Sequence, residues 1–483
     1  MRGKALAIFV RPVIDYRQQT RGGMTVTLSF WHIAIMMATV FAVIGAGLWA
    51  ARSVRSAEGY SLSGRSAGAP LIAGSIAGSI IGGGATVGTS QLAYTCGLSA
   101  WWFTLGAGVT FILMGVFYAR KLRGTGLATI PEFLAAHYGV RAEEAASVIS
   151  SIGTFFSIIA SSLSGIQLMA AFFHVSHLSA AAMLIVLVVA YTFFGGMKSA
   201  GIGGILKMGV LALSVSVAGF SAYRALSAMP DAAFDAVFPA VPWLSLAGEG
   251  TGTAAATFLS MMVGVICTQT YVQAIFSAAE PETAAAGCIL AALIVIPVGL
   301  PFIAIGMYMR AFDPDVLPIL VLPQYLVHHE HVIVAGIALG GIVLSLISSI
   351  GGLALGMGTM ISHDIAAVVF RIKSDRALLA ITRGAVLGIL AGAGAFALCH
   401  LDSQVLLWNY LSMALRGGGI FLPMTAAIFW PGRIAPAWGF ASIAVSTAAA
   451  ILAAAFLPAA VNPVFIGLAV SALFLCIGCL KEK

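Results

Sequence analysis

Apolar stretches of about 20 residues or more follow one another along the chain, at roughly 30–50, 68–93, 99–119, 143–173, 177–195, 203–223, 255–279, 285–309, 332–362, 378–399, 403–430, 436–457 and 462–480. A bilayer core is crossed by about 20 predominantly apolar helical residues, and in lipid only helices or closed barrels satisfy every backbone polar group. The pattern therefore predicts an all-α integral membrane protein with about thirteen transmembrane helices. Several stretches exceed the minimum length, which implies tilt. The connections are short, so residues 30–483 read as one transmembrane domain. Residues 1–29 read either as an N-terminal extension or, from the basic beginning (Arg2, Lys4, Arg11, Arg17, Arg21) that conflicts with an external N-terminus, as a mis-assigned start with translation beginning at Met24.

The polar positions between the stretches alternate in sign, as the positive-inside rule requires. One set of loops holds Arg52, Arg55, Arg65, Arg120, Lys121, Arg123, Arg141, Lys198, Arg371, Lys373, Arg376, Arg383, Arg433, Lys481 and Lys483. The opposite set holds Arg224 and Arg310 among Asp231, Asp235, Glu249, Asp313, Asp315, Glu330 and Asp402. The expected topology is a multi-pass protein of the cytoplasmic (inner) membrane, with its N-terminus outside and its C-terminus in the cytoplasm.

Composition narrows the function classes. Hydrophobic residues make up 60% and charged residues 8%, against roughly a quarter charged in soluble globular chains. The net charge of +7 is scattered over loops with no basic stripe, which argues against nucleic acid. The partners implied are the lipid bilayer and a small-molecule solute, with no obligatory protein partner evident. Cys96, Cys267, Cys288, Cys399, Cys476 and Cys479 lie mostly in apolar stretches and read as buried thiols. His174 and His177, and His328, His329 and His331 beside Glu330, fall in predicted external loops and do not read as a metal site. An enzyme needs acids, bases or a metal at membrane depth, a sensor needs a signalling unit, and ATP-driven transport needs a GxxxxGK[ST] loop. The sequence displays none of these and implies no organic cofactor.

Two polar features break the apolar pattern at mid-membrane. Gly82, Gly83 and Gly84 interrupt the second stretch. Glycines are poor helix formers, and the triplet fits either a discontinuous helix that builds a midplane site or a close helix crossing. In the ninth stretch, Ser345, Ser348 and Ser349 share one helix face by their i, i+3 and i+4 spacing. They suit either oxygen ligation of a hard cation or bonds between helices.

The run GRSAGAPLIAGSIAGS, the TIPEFLAAHYG loop, the YTFFGGMKSAG turn, the Pro-rich outer loop and LSLISSIGG ending in SHD resemble, in order, the sodium/solute symporter family of proline, pantothenate and sugar symporters. The resemblance implies a leucine-transporter-type core of two inverted five-helix repeats, here about 68–223 and 255–430, with Na+ as the coupling ion. It further implies a sodium site formed by the carbonyls of Gly78 and Ile81 with Ser345, Ser348 and Ser349. Gly82, Gly83, Thr268, Gln269, Gln273 and Arg416 are then candidates for binding solute.

Three positions depart from the family pattern. Ile80 stands where proline symporters carry an Asp, Gly204 and Lys207 replace an Asp and a Gln of the fifth core helix, and His137 replaces an Arg. Lys207 sits about one turn inside the boundary. Its amine can snorkel to the interface, or it can face the ion site and substitute for sodium, making the coupling ion H+ or removing coupling. Arg416, mid-membrane in SMALRGGGIFLP, has no acidic residue at its depth. It fits a role holding a helix break at Gly417–Gly419, or recognition of a carboxylate by its planar fork. The expected function is sodium-coupled symport of a small polar, carboxylate-bearing solute by alternating access. The alternative is a proton-coupled or uncoupled transporter of the same fold.

Overall fold

The computed structural model describes residues 26–51, 62–192, 196–368, 370–456 and 462–480. The basic leader, Arg52, Arg55, Lys481 and Lys483 lie outside the described residues, as do positions 193–195 of the YTFFGGMKSAG turn and the side chain of Lys198. What is described is all-helical; Ala67 and Ala278 form an isolated β-bridge.

Helix α1 (Phe30–Ala51) precedes a broken pair, α2 (Ala69–Ile80) and α3 (Thr89–Cys96), then α4 (Trp102–Leu113), the short α5 (Ile130–Tyr138), α6 (Val140–Phe173), α7 (His177–Thr192) and α8 (Gly196–Ser227). A second broken pair, α9 (Thr251–Ile266) and α10 (Gln269–Phe276), leads into α11 (Pro281–Phe312), the short α12 (Val321–His329), α13 (Val332–Met360), α14 (Asp375–Leu398) and α15 (Val405–Phe429). Helices α16 (Pro436–Phe456) and α17 (Pro463–Leu480) pack on each other and on α15.

Among the described residues, nine helical stretches are long and apolar enough to cross a membrane, and α9 with α10, bent by 44° at their break, makes ten. The sequence predicts about thirteen. The difference lies in Phe30–Ala46, α2 and α7, which are apolar but shorter than a span: α2 stops at a break, and the described part of α7 ends at Thr192.

The break after α2 is centred on Ile81, whose φ of −82° and ψ of 79° leave the helical region. A π-turn over Gly84–Gly88 then restores the helix. The three glycines serve close approach. A Cβ on Gly82 would run into the Ser349 side chain, one on Gly83 into Ser164, and one on Gly84 into Asn409 and Phe103. The triplet thus lets the broken segment pass between α6, α13 and α15, and the break frees backbone carbonyls in a place that lipid does not reach.

The core helices are held by the same economy of side chains. Helix α8 lies on α2 through Gly201 and Gly204, and a Cβ on Gly204 would strike the Gly74 carbonyl. Helix α13, buried over most of its length, packs against α1, α6 and α8. Helix α15 packs against α6 and α9 and runs unbroken through Gly417–Gly419. The expected break there is absent, because these glycines admit Val263 and Thr447 to the helix surface while their backbone stays helical.

Candidate functional site

Because α8 is pressed onto α2 at Gly204, the residue one turn later, Lys207, is aimed at the end of α2. Its side chain is 0% exposed. The ammonium donates to the Gly78 carbonyl at 2.6 Å, the Ile81 carbonyl at 2.8 Å and Ser348 Oγ at 2.6 Å. An ammonium has three N–H donors and no acceptor, so this set satisfies it. Two hydroxyls of α13 complete the cage: Ser345 Oγ donates to the Ile81 carbonyl at 2.5 Å and Ser348 Oγ lies 3.0 Å from the Gly78 carbonyl.

Four of the five positions named for sodium therefore converge on one point, and the amine of Lys207 is at that point. The snorkelling reading of Lys207 is overturned, since the cage lies inward and the close crossing directs the side chain there. Ser349 is turned aside and donates to the Ser79 carbonyl at 2.6 Å. The Gly204 contact also removes any space at that position for the Asp of the family pattern.

Arg416 is 1% exposed and is met entirely by neutral oxygens. Nη1 donates to Thr268 Oγ1 at 2.9 Å and Thr154 Oγ1 at 3.5 Å. Nη2 donates to Ser412 Oγ at 2.9 Å and Ser157 Oγ at 3.3 Å, and Nε to the Ser412 carbonyl at 3.3 Å. These come from α6, α15 and the break between α9 and α10. A buried guanidinium without a counter-charge is costly, and hydroxyls that can rotate away are partners an anion can displace.

Between the Lys207 cage and Arg416 lies a closed cleft of about 10 Å³, room for about one water, lined by Ser79, Ile80, Gly82, Gly84, Phe103, Ser157, Ser161, Tyr271, Ser349, Leu353, Asn409 and Met413. Ser157 is shared by the cleft and the guanidinium. On the side of Glu249, Tyr410 joins Ser99 and Trp102 around a second cavity. The Phe103 and Tyr410 rings, 6.2 Å apart and edge to face, stand between the two.

The other predicted solute positions separate. Gly82 lines the cleft, while Gly83 is packed against Ser164 and Leu346. Thr268 contacts Arg416. Gln269 is turned away from the cleft: its Oε1 accepts from Ile130 N at 2.9 Å and its Nε2 donates to the Ala128 carbonyl at 3.2 Å. Gln273 Nε2 donates to Thr359 Oγ1 at 3.2 Å.

The sequence profile of the sodium:solute symporter family matches residues 60–436. The chain belongs to the sodium:solute symporter family. High affinity choline transporter 1 of Mus musculus is 26% identical over 432 residues, covering 80% of this chain and 70% of that transporter. The sodium/glucose cotransporter of Vibrio parahaemolyticus is 32% identical over 116 residues, 22% of this chain and 20% of that one. A solved Na+-coupled sialic acid symporter, in a substrate-bound outward-open state, superposes with a TM-score of 0.79 at 16% identity, covering 94% of this chain and 98% of that one. The last likeness is one of fold, the leucine-transporter type.

As a member of the sodium:solute symporter family the chain is a multi-pass membrane transporter of a small-molecule solute, and not an enzyme. Family membership supports sodium as the coupling ion. Against the pattern of the sodium:solute symporter family, Ile80 is now an apolar wall of the cleft and Lys207 an occupant of the oxygen cage. Sequence reasoning missed Tyr271, Asn409, Ser157 and Ser161 on the cleft. The serines carried a signal, since Ser150, Thr154, Ser157 and Ser161 recur at helical spacing along α6.

Proposed function

We propose that this family member is a secondary active transporter that carries a small, polar, carboxylate-bearing solute by alternating access. Its core would be the thirteen-span, five-plus-five inverted repeat over about 68–223 and 255–430, in a cytoplasmic membrane with the N-terminus outside. Each proposed half opens on a broken helix, α2/α3 and α9/α10, and the alternation of basic loops supports the orientation.

The observation that supports an anionic solute is Arg416, a buried guanidinium one hydroxyl behind the cleft with neutral oxygens for partners. A carboxylate entering the cleft can take the place of Ser157 or Ser412 and pair with the planar fork. A quaternary ammonium such as choline, which the murine relative's name specifies, would lie between the Lys207 and Arg416 cations with no carboxylate among the described lining residues. A panel of small carboxylates and amines, screened for stabilisation of the purified protein, tests this. Stabilisation by amines alone would remove the anionic reading.

Two readings of the coupling ion follow. Family membership supports sodium. The Lys207 geometry favours the second, in which the ammonium stands in for the ion: two unit charges about 4 Å apart repel by about 4 kcal/mol at an effective dielectric of 20, so sodium and a charged Lys207 do not share the cage. Coupling then runs through protonation of Lys207 or is absent. Uptake into proteoliposomes under separate sodium and proton gradients decides. Loss of uptake without sodium, at constant pH gradient, rejects the second reading.

A further inference from the structure

Helix α5 starts with Thr129 as its N-cap: Thr129 Oγ1 accepts from Glu132 N at 3.1 Å, and Glu132 Oε2 accepts from Ala128 N at 2.7 Å. This reciprocal cap leaves the Thr129 hydroxyl hydrogen free to donate, and it donates to Asp364 Oδ1 at 2.8 Å. Asp364 belongs to the π-turn at the end of α13 and is 1% exposed. On the other side of the same three residues, Gln269 holds Ile130 N and the Ala128 carbonyl with both ends of its amide. Residues 128–130 are thus gripped from α13 and from α10 at once, at the end of the bundle that carries Arg120, Lys121, Arg123 and Arg141.

Behind the grip a polar seam runs inward along one face of α6: Ser147, Ser150, Thr154, Ser157 and Ser161, all buried. Its inner members reach Arg416 and the cleft. Its outer members lie against the grip, where Ser147 is beside the Asp364 carboxylate and Ser150 is 0% exposed. Burying hydroxyls is costly where apolar side chains could pack, and this row joins the basic end of the bundle to the midplane cleft as one continuous polar path.

We infer that Asp364 and Gln269 form a two-sided latch on Ala128, Thr129 and Ile130 that shuts the cytoplasmic release route of the solute along the α6 seam. Both are positioning residues. Asp364 acts through the Thr129 hydroxyl, and Gln269 adjoins Thr268, which touches Arg416, so a solute that rearranges the Arg416 hydroxyls pulls directly on the residue next to the latch. The inference rests on the alternating-access reading; transport assays test that reading separately.

The test places a cysteine on the seam, Ser150→Cys, in the full chain in inside-out vesicles, and follows its modification by a membrane-impermeant maleimide with mass spectrometry. With the latch intact, labelling is slow. Asp364→Ala or Gln269→Ala raises its rate tenfold or more, while Asp364→Asn, whose amide oxygen still accepts from Thr129, stays within about twofold of the parent. Buried Cys96, in the opposite half of the protein, stays unlabelled in every variant that retains its fold and identifies any that does not. Unchanged labelling in both alanine variants, with uptake retained, overturns the latch; so does Asp364→Asn labelling as fast as Asp364→Ala.

Discussion

Lys207 Nζ and the carbonyl oxygen of Gly78 are 2.6 Å apart, a charge-assisted bond between a helix and the broken helix it crosses. With Ser348 as a further acceptor, one side chain ties α2, α8 and α13 together. A bound sodium at this point could leave for the cytoplasm during each cycle. A lysine can only let go, and it can do so by giving up a proton or by following one of the helices.

That difference predicts the behaviour of Lys207→Gln. An amide keeps donors toward the two carbonyls but cannot exchange a proton, so uptake driven by a pH gradient falls to the level of passive exchange while solute binding persists. Accumulation that still tracks the pH gradient in the variant would place the proton elsewhere.

Ser348→Ala leaves one ammonium donor without its acceptor. Hydrogen bonds to charged groups are worth about 1.5–3 kcal/mol, so unfolding in detergent should show a loss of that order. In Lys207→Met the same serine substitution should cost less than about 1 kcal/mol. A double-mutant cycle measures the difference directly, and strict additivity would mean that the amine and the hydroxyl do not interact.

Arg416→Gln should weaken binding of the solute by about 10- to 100-fold, the loss of a charge-assisted pair of about 1.5–3 kcal/mol. Arg416→Lys should not restore it, because a point charge cannot present two parallel donors. Affinity measured by thermal shift or tryptophan fluorescence reads both, and wild-type affinity in either variant removes Arg416 from the solute.

Gly82→Ala places a methyl group against the Ser349 side chain. Overpacking of this kind costs about 1–3 kcal/mol, and here it also wedges the break away from α13, so transport should drop more than stability. Ser349→Gly in the same chain should recover part of the activity. No recovery would mean that the glycine serves its own backbone and not this contact.

The sequence carried the cage in pieces. The hydroxyl stripe of Ser345, Ser348 and Ser349 follows from helix periodicity, and the resemblance supplied Gly78 and Ile81. The direction of Lys207 could not be read, since a lysine one turn inside a membrane reaches either water or the core, and what decides is the rotation of α8 set by Gly201 and Gly204 against α2. Arg416 was legible as an intramembrane charge without an acid. Its actual partners come from other helices and are neutral, which periodicity cannot pair. The break expected at Gly417–Gly419 failed because glycine marks close packing as readily as it marks a kink. Thr129 and Asp364 stand 235 positions apart, and no local pattern joins them.

The Gly74–Gly204 crossing bears on how such a chain can change. Restoring an acidic side chain at 204 is a single substitution on paper, but here it meets a backbone carbonyl, and α8 must first move off α2. Replacing Lys207 alone empties the cage and leaves the crossing shut. A return to the family pattern therefore has an order, with the helix spacing altered before the acid is tolerated, and intermediates along the opposite order carry a clash. Position 204 is thus bound to the spacing of two helices and not to the chemistry of the cage, so the two departures can be altered only in that sequence.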